Sequence, residues 1–314
     1  MSKIKVLTVS SANIDFVMNI EKIPQSGQTL LDNGNYRYIP GGKGANSAVA
    51  FSRLGADSIF CTSLGKDANA EILRSLYIYE GINTNYIENC ETQPTGLAAI
   101  FVESSGANRI IVFPGANMQI TDENIENSFN SKPNALFLQL EISSKSIIKA
   151  SQAAAKSNIP IIIDAGPAKK DFPFNELPKL KILSPNETEA QLFTGINPDS
   201  EENCLLCARN LSKIASSEYY VIKLGGRGCY VYTVKKDAGQ IVPSLKAKVV
   251  DTTAAGDAFT AALTLEYLRS NDIIRAAKYA NVVGAITVSR AGASASIPNE
   301  NEVNDYILQN NLML

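Results

Sequence analysis

The sequence predicts an α/β protein with a mostly parallel central sheet, covered by helices on both faces, and a smaller β region. β-rich runs alternate with helical patterns through most of the chain. Small or polar residues follow several of these runs, as expected where buried parallel strands end. The 314 residues are 45% apolar, which is enough for a large core. No internal repeat or low-complexity linker divides the chain, so we predict one domain over residues 1–314.

The elements of the main sheet follow from short β-rich runs and longer helical patterns. The runs predict strands at residues 6–9, 59–61, 135–140, 159–163, 181–183 and 221–224, and a strand that ends at residues 248–250. Helical patterns occupy residues 45–54, 69–79 and 145–156, and another begins at residue 258. Two runs around residues 230–232 and 240–242 are predicted to form an antiparallel pair.

The smaller β region consists of residues 16–39 and 95–113. The first stretch has strand-like runs without helical periodicity, broken by Pro24, Gly27 and Gly34. In the second stretch, two β-rich runs flank the turn sequence Ser-Ser-Gly-Ala-Asn at residues 104–108. That pattern predicts a β-hairpin.

Charge and composition exclude several classes of protein. The formal net charge is −2 and no basic stripe is present, so a nucleic-acid partner is not expected. No apolar run is long enough to cross a membrane. The chain has no histidine, which excludes Ser-His-Asp hydrolysis, Cys-His proteolysis and histidine-ligated metals.

Cysteine usage and the N-terminal residues predict a cytoplasmic location. The five cysteines are scattered, as is typical of reduced cytosolic thiols. Cys204 and Cys207 form a lone C-x-x-C inside a helical pattern and are predicted to be neighbouring core thiols. The chain enters a strand almost at once, which leaves no room for a secretory signal.

Residues 251–257, Asp-Thr-Thr-Ala-Ala-Gly-Asp, predict a tight turn that opens a helix. The first N–H groups of a helix lack helical partners, and the helix dipole is positive there, so an oxyanion is stabilised at this point. Ala254, Ala255 and Gly256 leave room for a ligand at the backbone. Asp257 could accept a proton from a hydroxyl beside this anion hole. The alternative is an ordinary helix start that is rich in Asp.

A second motif, Gly-Gly-Lys-Gly-Ala-Asn at residues 41–46, also opens a helix. Its glycines permit close approach to a ligand, and Lys43 and Asn46 can each hydrogen-bond several hydroxyls. The stretch is not a Walker loop, because Gly-x-x-x-x-Gly-Lys-Ser/Thr is absent from it. It is not Gly-x-Gly-x-x-Gly either, so it does not indicate a dinucleotide site.

Together the two motifs resemble the signatures of the ribokinase-like (PfkB-type) family of carbohydrate kinases. Residues 41–46 are followed by Ala48, Gly55 and Gly65 at the family's spacings, and the resemblance runs from Asn13 to Ser296. It implies that residues 16–39 and 95–113 form a β lid over the sugar. Because phosphoryl transfer must exclude water from ATP, such a lid has a direct role.

The resemblance also implies residue roles at the sugar end of the site. Asp257 matches the general base, and Ala254, Ala255 and Gly256 match the anion hole. The residues implied in sugar binding are Asn13, Asp15, Gly42, Lys43, Gly44, Ala45, Asn46 and Glu141, with Asp257. From position alone, Asn13 and Asp15 could simply form the turn after a strand, and Glu141 could begin a loop.

At the nucleotide end, the resemblance implies ATP contacts from Asn186, Lys223, Leu224, Gly225, Gly226, Arg227, Gly228, Gly256 and Asn281. It implies a magnesium site near Asn186 and Glu189, reached through water, and a potassium site formed by Asp251, Thr253, Thr287, Arg290, Gly292 and Ser296. Residues 186–189 also read as a helix capping box, and both roles are compatible. In the alternative interpretation, Asn281 hydrogen-bonds its neighbours in a buried helix, and Asp251 does no more than cap a turn.

Two positions depart from the family pattern. Asp164 stands where an Asn is usual, in an altered Asp-Ala-Gly-Pro-Ala loop. Lys223 stands where a hydroxyl residue is common, and it could reach a phosphate or point to solvent. These departures leave the roles of both residues open.

The activity that the resemblance implies is ATP-dependent phosphorylation of D-ribose to D-ribose 5-phosphate. Deoxyribose, fructose or a nucleoside are the alternative substrates of sister kinases. A non-catalytic sugar-binding protein and a dinucleotide-dependent oxidoreductase are more distant alternatives. The lid has β edges that require covering, which predicts a homodimer through it.

Overall fold

The computed structural model describes residues 3–105 and 107–314. Its strands are β1 (Lys5–Val9), β2 (Asn13–Ile20), β3 (Asn35–Gly41), β4 (Asp57–Gly65), β5 (Asn83–Cys90), β6 (Gly96–Glu103), β7 (Asn108–Phe113), β8 (Ala135–Gln139), β9 (Ile161–Asp164), β10 (Leu180–Ser184), β11 (Ser217–Lys223), β12 (Cys229–Thr233) and β13 (Ala238–Val242). Its α-helices are α1 (Lys43–Arg53), α2 (Ala68–Tyr79), α3 (Asp122–Ser128), α4 (Ser144–Lys156), α5 (Glu187–Thr194), α6 (Glu201–Ile214), α7 (Ala255–Ser270), α8 (Ile273–Val288) and α9 (Glu300–Gln309).

The central sheet has nine strands in the order β13-β12-β11-β10-β9-β8-β1-β4-β5. All neighbours from β11 to β5 are parallel. β12 and β13 continue the sheet as an antiparallel pair. The predicted fold class and the predicted antiparallel pair are both confirmed. Because the parallel strands share one direction, their carboxyl ends lie along a single edge.

Helices cover both faces of this sheet because adjacent strand residues point in opposite directions. Val6 and Leu7 in β1 are both fully buried, yet they belong to different core layers. Apolar residues of α1, α7, α8 and α9 pack in the layer that contains Val6, and those of α3, α4, α5 and α6 pack in the layer that contains Leu7. The central sheet is therefore packed between two apolar layers.

A second sheet of four strands, in the order β3-β2-β6-β7, extends from the carboxyl edge. β2 pairs antiparallel with β3 and parallel with β6, and β6 pairs antiparallel with β7 as the predicted hairpin. Its strands fall mainly within residues 16–39 and 95–113. Asp15, Ile39, Ala98 and Val112 are register partners and therefore share one face, which lines a cleft above the central sheet.

The prediction of a strand that ends at residues 248–250 is wrong. Val249 and Val250 lie in an irregular segment and are 64% and 54% exposed. Their β-branched side chains favour a strand, but the segment lies outside both sheets. The Val250 N–H instead donates to the Val288 carbonyl at 2.7 Å, which ties the segment to the end of α8.

All five cysteines lie in the described part of the chain, and all are buried free thiols. Cys204 and Cys207 are both in α6, as predicted for core thiols. Within residues 3–105 and 107–314, no helix has the length and apolar character needed to cross a membrane.

Candidate active site

A cleft of about 1390 Å³ runs along the carboxyl edge of the central sheet, beneath the second sheet. Its wall includes residues from both sequence motifs and from four strand ends. The predicted site residues on the wall are Asn13, Asp15, Gly42, Lys43, Asn46, Glu141, Asn186, Glu189, Lys223, Gly225, Asp251, Thr253, Ala254, Gly256, Asp257 and Gly292. Those that do not line it are Gly44, Ala45, Leu224, Gly226, Arg227, Gly228, Ala255, Asn281, Thr287, Arg290 and Ser296.

The N-terminus of α7 opens at the centre of this cleft. Ala254 occupies the N-cap position with a left-handed φ of 61°, and its methyl side chain cannot accept a hydrogen bond. The Ala255 N–H bends back to the Thr252 carbonyl at 3.3 Å. Gly256 and Asp257 follow in the first turn, where N–H groups have no helical acceptor. The first turn of α7 therefore offers N–H groups at the position of the predicted anion hole.

Asp257 is buried beside these N–H groups, and two side-chain amides orient its carboxylate. Asn46 donates to Oδ2 at 2.9 Å and Gln139 donates to Oδ1 at 3.3 Å. Ser10 in turn donates to Gln139 at 2.9 Å, so the amide itself has a fixed orientation. Burial raises the pKa of Asp257 to about 6, although Lys43 opposes this shift. At neutral pH the carboxylate is ionised yet basic enough to accept a proton.

Asn13 and Asn46 present polar atoms toward the end of the cleft where the sugar is predicted to bind. Asn117 donates to the Asn13 side-chain oxygen at 2.7 Å and accepts from the Ala12 N–H at 2.9 Å. This arrangement leaves the Asn13 amide group available to a ligand. The Asn46 side-chain oxygen is buried, and within the described residues it has no hydrogen-bond partner. A ligand hydroxyl would satisfy that acceptor.

Two further carboxylates border the same end. Burial raises the pKa of Asp15 to about 7, with smaller contributions from Glu141 and Asp257. Glu141 accepts hydrogen bonds from the Ser11 hydroxyl and from the Lys43 N–H. Glu141 is therefore held by hydrogen bonds from two different segments of the chain. A residue that only begins a loop would not need both bonds.

The glycine motif positions α1 by close backbone packing. Gly42, with φ of 91°, is the N-cap residue of α1. A Cβ on Gly44 would lie 2.6 Å from the Ser11 carbonyl oxygen, so only glycine fits. The backbone of Gly44 therefore packs closely against the chain segment that follows β1. The predicted contact of Gly44 with the sugar stays a prediction.

Lys43 is the first residue of α1 and points into a ring of carboxylates. Asp257 is the main cause that raises its pKa above the usual range, and Asp164, Glu141 and Glu189 add to the effect. The lysine therefore keeps a fixed positive charge between the sugar end and the nucleotide end.

The end of the cleft where the nucleotide is predicted to bind is built on β10 and β11. Asn186 and Glu189 form a complete capping box at the start of α5. The prediction that residues 186–189 cap a helix is therefore confirmed. Glu189 Oε1 lies 2.6 Å from the position that a Cβ on Gly166 would occupy. Glycine at position 166 therefore leaves room for the Glu189 carboxylate to pack against the backbone there, and Glu189 itself lines the cleft.

Arg227 and Asn281 bond neighbouring loops. The Arg227 guanidinium pairs with Glu187 at 2.7 Å and donates to the Pro198 and Asp199 carbonyls. The Asn281 amide donates to the carbonyls of Val242 and Pro243, as in the alternative considered for it.

Asp251 connects the turn before α7 with the loop after α8. One carboxylate oxygen accepts from the Thr253 N–H and hydroxyl, and the other accepts from the Gly292 N–H at 2.9 Å. The predicted potassium-site residues from these two segments are therefore adjacent. Within residues 3–105 and 107–314, no three His, Cys, Asp or Glu side chains converge as metal ligands.

Sequence reasoning missed several residues that orient this site: Ser10, Ser11, Asn117, Gln139, Thr260 and the ion-paired role of Asp164. Gln139 carried a detectable signal, because it is a polar residue in an otherwise apolar buried strand. No local sequence signal marked Asn117, because its partner Asn13 lies 104 residues away in the sequence.

A buried carboxylate beside an open helix N-terminus, at the carboxyl edge of a doubly wound sheet, is an arrangement typical of phosphotransferases that act on a hydroxyl group. The chain belongs to the pfkB family of carbohydrate kinases, whose family model matches residues 3–300. It is an ATP-dependent sugar kinase of that family.

Known relatives agree with this assignment. The chain is 35% identical over 303 residues to a ribokinase of Staphylococcus aureus, covering 96% of this chain and 98% of the relative. It is 36% identical over 312 residues to a bifunctional ribokinase/ribose-5-phosphate isomerase A of Fructilactobacillus sanfranciscensis, covering 98% of this chain and 57% of that longer protein. Among solved structures, an Arabidopsis thaliana ribokinase complexed with ribose and ATP superposes with a TM-score of 0.87 at 28% identity, covering 98% and 99% of the two chains.

Proposed function

We propose that this protein transfers the γ-phosphoryl group of ATP to the 5-hydroxyl of D-ribose. The observation that carries the proposal is the position of Asp257. Its carboxylate is held by Asn46 from the glycine motif and lies in the first turn of α7, so one residue borders both the sugar end and the anion hole.

In this mechanism Asp257 accepts the proton of the primary hydroxyl as the hydroxyl oxygen attacks the γ-phosphorus in line. The N–H groups at the start of α7 stabilise the charge on the transferred group. Asn13, Asp15, Lys43, Asn46 and Glu141 orient the sugar, with Gly42 and the α1 backbone beneath it. Since burial raises the pKa of Asp257 to about 6, the rate falls as the pH drops below that value.

Magnesium fits the nucleotide end on the chemistry of the groups present. The cleft wall carries seven Asp or Glu side chains and four Lys or Arg side chains, so a triphosphate would enter a region that is already negative. When bound, Mg²⁺ neutralises charge on the phosphate oxygens. Glu189, which lines the cleft beside Asn186, would hold it through water, because Mg²⁺ retains several waters in phosphate sites.

The proposal also includes potassium and a second subunit. Asp251 and the backbone around Thr253 and Gly292 supply oxygen atoms that suit a hard cation next to the anion hole. A homodimer would form through residues 16–39 and 95–113, where exposed apolar side chains include Tyr36, Tyr38, Ile111 and Phe113.

An ADP-release assay over a sugar panel tests the function. The panel contains ribose, 2-deoxyribose, fructose and adenosine, each with Mg·ATP. We expect ribose to give the highest kcat/KM. A higher value with any other acceptor would reassign the substrate within the family. Thermal shifts with ribose but no ADP release from any acceptor would indicate a non-catalytic sugar-binding protein.

A further inference from the structure

The two positions that depart from the family pattern are bonded to each other. The Lys223 ammonium lies at the end of β11 and the Asp164 carboxylate at the end of β9, with 2.7 Å between Nζ and Oδ1. Their side chains are 12% and 4% exposed. Lys223 also donates to the Thr260 hydroxyl at 3.3 Å, and Thr260 donates to the other Asp164 oxygen at 2.7 Å. The three side chains form a closed set beneath the first turn of α7.

This set holds the Lys223 ammonium beside the anion hole. Nζ is 3.8 Å from the position that a Cβ on Gly256 would occupy, and both residues line the cleft. An ammonium group has three donors, and Asp164 and Thr260 use two of them. The third is left for an acceptor in the cleft. An oxyanion bound at the Gly256 N–H would lie within reach of it.

We propose that Lys223 is a second phosphate-binding group of this kinase, and that Asp164 and Thr260 are positioning residues that fix its ammonium next to the α7 N-terminus. The inference rests on the proposed ATP-dependent transfer and names one further contact to the terminal phosphates. It explains why both departures occur in one chain: a lysine here requires a buried anion, and a buried Asp164 requires a cation.

The ion pair also accounts for how a flexible side chain can serve this role. A lysine loses considerable rotamer entropy when it is ordered, so a free one would bind phosphate weakly. Asp164 orders Lys223 before the nucleotide arrives. The pair is neutral as a whole, so the empty cleft does not hold an uncompensated buried charge.

The direct test is nucleotide binding by calorimetry with Lys223→Thr. The probes are the magnesium complex of a non-hydrolysable ATP analogue with an imido group between the β and γ phosphates, and AMP, which lacks both phosphates. We expect the variant to bind the ATP analogue about 10-fold or more weakly and AMP normally, since hydrogen bonds to charged groups are strong. Equal affinity for the analogue in wild type and variant would overturn the proposal, as would an equal loss for both nucleotides.

Lys181→Thr is the matched control. Lys181 makes a similar partly buried ion pair with Glu218 at 2.6 Å, near the start of β10 and β11, away from the cleft. Its loss should leave binding of both nucleotides unchanged. No sugar is needed in this assay, so a wild-type enzyme inactive on ribose would refute the proposed substrate and leave the result on Lys223 valid.

The positioning role of Asp164 is tested by a double-mutant cycle. Lys223→Thr should cost less affinity for the ATP analogue in an Asp164→Asn background than in wild type, because the two residues act as one unit. The acid limb of the kcat/KM profile should move to lower pH in Asp164→Asn and to higher pH in Lys223→Thr, because Asp164 raises the pKa of Asp257 and Lys223 lowers it. Two results together would refute the positioning role of Asp164: additive losses of affinity for the ATP analogue, and an acid limb at the wild-type pH in both variants.

Discussion

At the scale of single residues, the site concentrates negative charge that folding must bury. Asp15 illustrates the consequence. Its pKa is raised to about 7, chiefly by burial and then by Glu141 and Asp257, so the native state holds a proton more tightly than the unfolded chain does. The stability that this protonation supplies is fully present below about pH 4 and is lost as the pH rises through about 7.

Asp15→Asn should therefore stabilise the protein and impair sugar binding. We expect Tm to rise by about 2–6 °C at pH 8 and to change little near pH 4.5, because the amide never ionises. The KM for ribose should rise about 10-fold with the KM for ATP nearly unchanged, since a charged acceptor is lost. In wild type the KM for ribose should rise as the pH falls below 7, and in the variant it should not.

Asp32→Asn is the control, because backbone N–H groups of Glu21 and Gly34 lower the pKa of that exposed carboxylate. It should not raise Tm at pH 8. If Asp15→Asn instead weakens both substrates equally, or lowers Tm at pH 8, Asp15 has a structural role.

At the scale of elements, the turn before α7 is ordered by contacts outside its own helix. Asp251 holds this turn against the loop after α8 through Thr253 and Gly292. The orientation of the first N–H groups of α7 therefore depends on both segments. A cation bound between them would aim those N–H groups at the phosphate.

We predict that potassium activates the enzyme several-fold over sodium or a bulky organic cation at matched ionic strength. Asp251→Ala should abolish this difference, because the carboxylate joins the two segments of the site. Asp272→Ala, which removes the N-cap side chain of α8 instead, should retain the activation. Equal wild-type rates in all three salts would exclude a potassium activator site.

At the scale of the whole molecule, the second sheet exposes apolar side chains on the face turned away from the cleft. Phe16 stacks on Tyr38 with 4.8 Å between ring centroids, while Tyr38 and Ile111 remain 52% and 51% exposed. Register places these residues on the same face of the sheet. A continuous apolar face of this kind is typical of an interaction surface.

The dimer is tested by light scattering at micromolar protein. Wild type should have the mass of two chains, and Tyr38→Asp with Ile111→Asp should reduce it to one. The control Leu308→Asp changes a residue of α9 that is 74% exposed and should remain dimeric. A monomeric wild type would contradict the proposed assembly.

The sequence was sufficient to predict the fold class, because periodicity and strand-end residues are local signals. The two glycine- and alanine-rich motifs are local as well, and their resemblance to the family signatures indicated where the site is expected. The prediction of a strand ending at residues 248–250 was wrong because β-branched composition does not reveal whether a neighbouring strand is available for pairing. The edge strand β5 and the short helix α3 were missed, since their polar sequences carry little apolar periodicity.

Side-chain partners could not be predicted, because they depend on tertiary contacts between distant segments. Gln139 reaches Asp257 across 118 residues, and Lys223 reaches Asp164 across 59. Gln139, Asp164 and Lys223 were visible as polar side chains at strand ends, and Asp257 was visible as one at a helix start. Only the order of strands in the sheet shows which of them become neighbours.

The measurement that bears most directly on the mechanism is single-turnover phosphoryl transfer from ATP to ribose by Asp257→Asn. The variant keeps the size of the side chain and removes the base, so the rate constant should fall roughly 10²–10⁴-fold, while ribose binding changes little. The acid limb near pH 6 should disappear with it, because that limb reports the ionisation of Asp257. A near wild-type rate constant, or an unchanged acid limb, would show that Asp257 is not the base.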